Sequence, residues 1–322
     1  MGAPIVPPGR TPAAPPDALV LGGGGILGEA WLSAVLAGIE QGGGFDPFAC
    51  GSYVGTSAGS IVATALLARE RPGERLGHLP EQPPVAEGDV AQEPSTIRRA
   101  FGTATSLGGA ALAPLASLAL SSTAPGGAVL RRSALARVPT GNRSLAELGR
   151  MVEGFGLRWN GRLRIAAVEL ESGRRVMFGA PGATQVSVSE AVQASCAIPG
   201  VFQPLRAGGR SFVDGGAWSP TNMDAADVGR GDRVLCLNPT GSVRGGIREP
   251  AGALAAVSRS LAAAEALALK RRGATTRTVN PDQASVAAMG RNLMDPSHRR
   301  EVIGAGLRQG RRLAEELRAG GG

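Results

Sequence analysis

Two strand–turn–helix units in succession predict an α/β protein built around a parallel sheet. The apolar run Ala18–Leu21 ends on glycines, and residues 29–41 follow with an apolar stripe at Trp31, Val35, Leu36 and Ile39. Residues 52–54 then lead into Gly55, and 58–68 read as a second, largely buried helix. Strands alternating with helices pair in parallel, because each helix carries the chain back across the sheet. The 322 residues, 43% of them hydrophobic, can bury a full core.

Residues 1–16 are rich in Pro, Ala and Gly and read as a flexible tail, with a folded α/β domain over 17–322. The glycines at 42–44 stop the first helix. A Pro-, Glu- and Gly-rich insertion follows from about 69 to 94. Residues 100–130 carry no charge. That length would permit a bilayer crossing, but Pro114 and the many small polar residues favour a helical cap or core. A membrane-contacting surface is the alternative, with Arg98, Arg99, Arg131 and Arg132 flanking it for anionic headgroups. A variable cap is therefore expected over about 70–160. Residues 163–169 and 175–178 resemble strands around a Ser172-Gly173 turn. Residues 188–195 read as a helix stopped by Pro199, and 211–213 and 234–237 as short strands. Residues 251–270 and 301–318 form a helical C-terminal part.

Composition narrows the function classes. Aromatics at 3% offer few stacking platforms, which argues against a single-stranded nucleic-acid partner. The net charge of +8 is carried almost wholly by arginine, Lys270 being the one lysine. That bias fits a GC-rich coding composition better than a dedicated basic patch. Cys50, Cys196 and Cys236 make an odd count without C-x-x-C spacing, so neither a disulfide framework nor a metal site is expected. Cys196 reads as a small buried residue rather than a nucleophile. No charged n-region precedes an apolar core near Met1, and a reducing, cytoplasmic setting is expected.

Three segments carry chemistry. Gly55-Thr56-Ser57-Ala58-Gly59 has the G-x-S-x-G spacing of a nucleophile elbow, where a sharp strand-to-helix turn exposes the serine Oγ. Alone this is weak in a chain with 49 glycines; its place between a strand and an apolar helix strengthens it. Residues 22–28 (GGGGILG) present backbone N–H groups before a helix, suited to an oxyanion or a phosphate. Gly23, Gly25 and Gly28 also satisfy G-x-G-x-x-G. The dinucleotide reading then wants an acid about 20 residues on. Asp46 stands near that distance, but Pro47 follows it and no clear strand precedes it. Asp214 ends an apolar strand ahead of Gly215-Gly216; by itself this is equally a turn. The only histidines, His78 and His298, lie in polar surroundings unlike those of a buried, oriented imidazole.

GGGGILG, GTSAGS and ASCAIPGVFQPLRAGGRSFVDGGAWSPTNMDAA, in that order, resemble the patatin-like phospholipases. The resembling blocks cover roughly 17–68 and 187–228. The resemblance implies a three-layer α/β/α sandwich around a mainly parallel sheet, and a lipid acyl hydrolase that needs no cofactor. It places Ser57 as nucleophile, Asp214 as the base of a Ser-Asp dyad, Gly23, Gly24, Gly25 and Gly28 on the oxyanion loop, and Gly55 and Gly59 at the elbow. The substrate implied is a fatty-acyl ester of a phospholipid or neutral acylglycerol, reached by peripheral membrane contact through about 100–132. Leu27 departs from the Arg or Lys that the family usually carries before its last loop glycine. A catalytically silent lipid- or protein-binding member of the same fold is the competing expectation.

Overall fold

The computed structural model describes residues 12–77, 127–242 and 250–319. The described residues form an eight-stranded sheet: β1 (Ala18–Leu21), β2 (Ser52–Thr56), β3 (Leu163–Glu169), β4 (Arg175–Phe178), β5 (Leu205–Ala207), β6 (Arg210–Asp214), β7 (Arg233–Leu237) and β8 (Thr275–Val279). Its order is β5-β6-β3-β2-β1-β7-β8, with β4 added against β3. β3, β2, β1, β7 and β8 run parallel, whereas β4, β5 and β6 join through antiparallel pairs.

Side chains alternate across a strand, so a fully buried strand must feed two cores. In β1, Leu19 and Leu21 enter one core and Ala18 and Val20 the other. The larger core is closed by α1 (Gly25–Gln41), α2 (Ala58–Leu67), then, past α3 (Gly127–Leu135), by α4 (Ala146–Glu153) and α5 (Val188–Cys196). On the opposite face α6 (Pro250–Arg271) supplies Ala262 and Leu269 against Val20, Val54, Val234 and Cys236. Past α7 (Gln283–Met289), α8 (Arg299–Ala319) returns to the first face and packs along α1. The helices thus cover both faces of a mostly parallel sheet. By length and composition α6 could cross a bilayer, but half of its apolar stretch is buried against the sheet.

The register on β3 decides where the chemistry can sit. β4 takes one edge of β3, pairing with residues 165–168. The other edge is shared. β2 occupies its first part, with Thr56 opposite Ala166, and β6 occupies the rest, with Asp214 opposite Ala167. β2 runs with β3 and β6 runs against it, so their C-terminal ends abut over two consecutive residues.

Several boundaries differ from the sequence expectation. α1 starts at Gly25, four residues earlier, because the Gly28 N–H already closes a helical turn on the Gly24 carbonyl at 2.9 Å. The Leu27 N–H of that turn donates to the Leu293 carbonyl (2.9 Å). Of the expected tail, 1–11 fall outside the described residues, and Ala13 donates to the Gly44 carbonyl (2.6 Å). The expected cap lies outside them from 78 to 126; its remainder contains α3 and α4. β5, β8 and α7 were not expected either. The TTRTV of β8 is too exposed for its periodicity to stand out.

Glu29 is fully buried in the first turns of α1. Its carboxylate meets Arg299 at 2.7 Å, Arg75 at 3.2 Å and the Ser33 hydroxyl at 3.1 Å. Burial pushes its pKa up, but Arg299 and Arg75 outweigh that and hold it below the usual carboxylate range. Three separate segments are thereby bolted together beside the glycine loop. Replacing Glu29 by Ala strands the Arg299 guanidinium, leaves Arg75 with Glu70 alone, and should cost about 3–5 kcal/mol of folding stability. With its pKa lowered, the contribution of Glu29 is present above the normal carboxylate pKa and is lost as pH falls through the folded value. Denaturant titrations of wild type and Glu29→Ala at neutral and acid pH check both; equal midpoints at neutral pH would refute it.

Candidate active site

The site is assembled at the junction where β2 and β6 end. Ser57 follows β2 directly with φ 50° and ψ −122°, a conformation that costs a residue with a Cβ about 1–3 kcal/mol. Its surroundings over-determine that geometry. The Ser57 N–H donates to Ser195 Oγ at 2.8 Å. The Ser57 carbonyl accepts from the Ser60 N–H at 2.8 Å and from Ser60 Oγ at 2.7 Å. Close approach sets the elbow's glycines. A Cβ on Gly55 would lie 2.5 Å from the Ser60 Cα, and one on Gly59 would run into the Leu21 carbonyl. Any other residue would push α2 off the sheet. Ser57 retains 7% of its surface.

Asp214 ends β6 and is 2% exposed. Its N–H donates to the Ala197 carbonyl (3.0 Å), and its Oδ1 accepts from the Gly216 N–H (2.7 Å). Burial drives its pKa up, opposed by an interaction with the Ser57 side chain and by the Gly216 amide; the result is about 7. The carboxylate and the hydroxyl are thus brought together, as the shared edge of β3 requires. Cys196 sits behind them with its Sγ 3.9 Å from Ser60 Oγ. Burial, and then the charge of Asp214, raises its thiol far above the ordinary value, so it stays protonated and inert. Cys50 is likewise pushed up to about 12 by burial.

The glycine loop lies against Ser57. A Cβ on Gly23 would stand 3.3 Å from the Ser57 Cβ. The four glycines expected to donate to an oxyanion divide into two pairs. The Gly23 N–H is engaged by the Pro220 carbonyl at 2.8 Å, and the Gly28 N–H by Gly24 within α1. Among the described residues the Gly24 and Gly25 N–H groups have no acceptor, nor does the Ala58 N–H at the start of α2. Gly25 takes φ +63° under Leu293 and Met294, where a Cβ would lie 2.6 Å from the methionine sulfur.

Other expected residues stand elsewhere. His298 is exposed on the turn leading into α8, and His78 lies outside the described residues. Asp46 caps a 3-10 turn, its Oδ1 accepting from the Phe48 N–H, so it serves no ribose. Arg131, read as a headgroup contact, is fully buried. Its Nε donates to the Ala217 carbonyl (3.1 Å), its Nη1 to the Gly173 carbonyl (2.6 Å), and its guanidinium covers Trp218. Burial lowers its pKa to about 10, with Arg175 adding to the effect. Ser195 and Asn222 were not singled out by sequence. Asn222 Nδ2 donates to Thr56 Oγ1 (3.1 Å), and the residue adopts the left-handed conformation with φ 49°. Its place in the Ser-Pro-Thr-Asn turn soon after D-G-G is the one signal that could have marked it.

No curated protein matches the chain. The crystal structure of VipD from Legionella pneumophila aligns with 94% of this chain and 68% of its own, at 16% identity and a TM-score of 0.46. The model of the patatin-like phospholipases matches residues 19–227, a span that holds the glycine loop, the elbow and the Asp214 turn. The chain belongs to the patatin-like phospholipase family, a family of lipid acyl hydrolases.

Proposed function

We propose that the protein is a serine acyl hydrolase that cleaves fatty-acyl ester bonds of phospholipids or related lipids. Ser57 is the nucleophile and Asp214 the general base. The observation that carries this reading is the buried Asp214, with a pKa of about 7, facing a strained serine beside the glycine loop, whose Gly24 and Gly25 amides have no acceptor among the described residues. A base works best when its pKa lies near the working pH.

The chemistry follows in balanced steps. Asp214 accepts the Ser57 proton as Oγ attacks the ester carbonyl carbon. The negative oxygen of the tetrahedral adduct is received by the Gly24, Gly25 and Ala58 N–H groups, aided by the N-terminal ends of α1 and α2. As the adduct collapses, the alcohol leaves with the proton from Asp214. Water then gives a proton to Asp214 and attacks the acyl-Ser57 carbonyl carbon; as this second adduct collapses, Asp214 returns the proton to Ser57 Oγ and the fatty acid is released. Membrane contact belongs to the same proposal. Val129 and Leu130 on α3 are 66% and 61% exposed, with exposed Arg132 and Arg137 nearby. Such a face suits an anionic lipid surface.

Ser57→Ala should lower hydrolysis of a p-nitrophenyl acyl ester at least about a thousandfold, with Asp214→Asn comparably impaired. Wild-type turnover by folded Ser57→Ala would overturn the assignment. Since the base must be ionised, wild-type kcat/KM should rise with pH through about 7 and fall away below it. Stability should move the other way. A carboxylate raised to about 7 in the fold penalises the native state progressively from pH ~4 to ~7, and fully above. Asp214→Asn should therefore gain on the order of 2–4 kcal/mol at pH 8 and little at pH 4, read by thermal melting. Replacing both Val129 and Leu130 by Ser should weaken co-sedimentation with anionic vesicles, as should added salt. Sedimentation unaffected by either would remove α3 from the lipid contact.

A further inference from the structure

Behind the site lies a second buried carboxylate that the proposed reaction does not use. Glu265 sits on α6, beyond the residues matched by the family model, and points into the protein. Its Oε2 accepts from the Met223 N–H (2.8 Å) and from the Thr221 hydroxyl. Residues 219–223 form the loop that follows the Asp214 turn, and Ser219, Thr221, Asn222 and Met223 in it are all buried.

This loop touches every part of the site. The Pro220 carbonyl takes the Gly23 N–H, fixing the glycine loop at 2.8 Å. Asn222 Nδ2 donates to Thr56 Oγ1, one residue before the nucleophile, and to the Ser219 carbonyl at 2.6 Å. It also reaches the Gly215 carbonyl, one residue after the base, at 3.4 Å. The Ser219 hydroxyl accepts from the Thr221 and Asn222 N–H groups, both at 3.3 Å, closing the loop on itself. These bonds support the left-handed conformation of Asn222, which asparagine adopts more readily than most residues. From outside, the loop is pinned by Glu265 and by Arg175, which meets Asn222 Oδ1 at 3.3 Å and Asp224 at 2.5 Å.

We propose that Glu265 is a positioning residue for catalysis at Ser57: by holding Thr221 and Met223 it fixes the loop that sets the glycine loop against the nucleophile. The inference rests on the reading of Ser57 and Asp214 given above. Glu265 touches neither substrate nor reacting atoms. Its effect passes through the Pro220 carbonyl to Gly23, and through Asn222 to Thr56. A small displacement there moves the amide cradle relative to Ser57 Oγ, the kind of misplacement that costs up to about a hundredfold in rate.

The test compares Glu265→Ala, Glu265→Asp and Glu265→Gln by steady-state hydrolysis of a p-nitrophenyl acyl ester and by the rate of Ser57 labelling with a fluorophosphonate. Each is measured well below its melting temperature. Ala removes the acceptor, and Asp keeps the charge but withdraws it by one methylene. Both should lower kcat about ten- to hundredfold with KM nearly unchanged, and slow the labelling in parallel. Gln keeps the reach and should restore most of kcat. A merely structural role would lower melting temperatures without this kcat-selective loss. Wild-type kcat and labelling in folded Glu265→Ala overturn the proposal, and so does equal loss in Glu265→Gln. If Glu265→Ala does not melt cooperatively, Glu265→Asp decides by the same criterion. Inactive Ser57→Ala beside unimpaired Glu265 variants would sink the positioning role alone; active Ser57→Ala would instead sink the nucleophile assignment.

Discussion

The edge of β3 that β2 and β6 share governs the site. A strand offers one row of hydrogen-bonding groups per edge, and here two partners divide that row, one arriving parallel and the other antiparallel. Their ends must meet, and each continues into a turn: one carries Ser57, the other Asp214. The antiparallel entry of β6 is therefore no defect in a parallel sheet. It brings a carboxylate in from the opposite direction and needs no third residue to reach the serine. A slip of one residue in β6 would send Asp214 to the other face of the sheet, and a slip in β2 would displace the turn that carries Ser57.

The same junction concentrates unfavourable energy. Ser57 is held in a backbone conformation suited to glycine, and Asp214 is buried with no cationic partner among the described residues. Neither would persist without the Ser195, Ser60 and Gly216 hydrogen bonds and the tight fit of Gly59 on β1. Elsewhere the fold treats charge differently. Glu29 is as deeply buried, but two arginines compensate it, and its carboxyl moves below the usual range instead of above. Withholding such a cation from Asp214 leaves its carboxylate basic enough to take a proton near neutral pH.

Much of this was legible in the sequence because its signals are local. β1, β3 and β4 fall where their apolar runs end, and the elbow and the D-G-G turn are contiguous motifs. Ser57 and Asp214 could be singled out without knowing the register that joins them. What escaped was non-local. Nothing near Gly23 shows that its amide is taken by Pro220, nearly two hundred residues away. Nothing near Arg131 shows that it turns inward to cover Trp218. Glu265 looks like one polar residue on an alanine-rich helix, and only the fold shows that it faces the sheet. The short helix α7 and the exposed strand β8 lack the periodicity by which such elements are read.

Asp214 and Glu265 offer a comparison within one molecule. Each is a buried carboxylate raised to about 7, each interacts with a side-chain hydroxyl, and each accepts a backbone N–H. Only one of the two hydroxyls is a plausible nucleophile, and the carboxylate does not make the difference. Thr221 is wholly buried, and its neighbours' amides are spent on Ser219 and Glu265. Ser57 keeps some exposure and stands beside the glycine loop, and the Gly24, Gly25 and Ala58 amides have no acceptor among the described residues. A carboxylate can loosen a proton in either place. Charge developing on a substrate oxygen can be received only where N–H groups have been left unengaged, and the loop that Glu265 holds lies against that place.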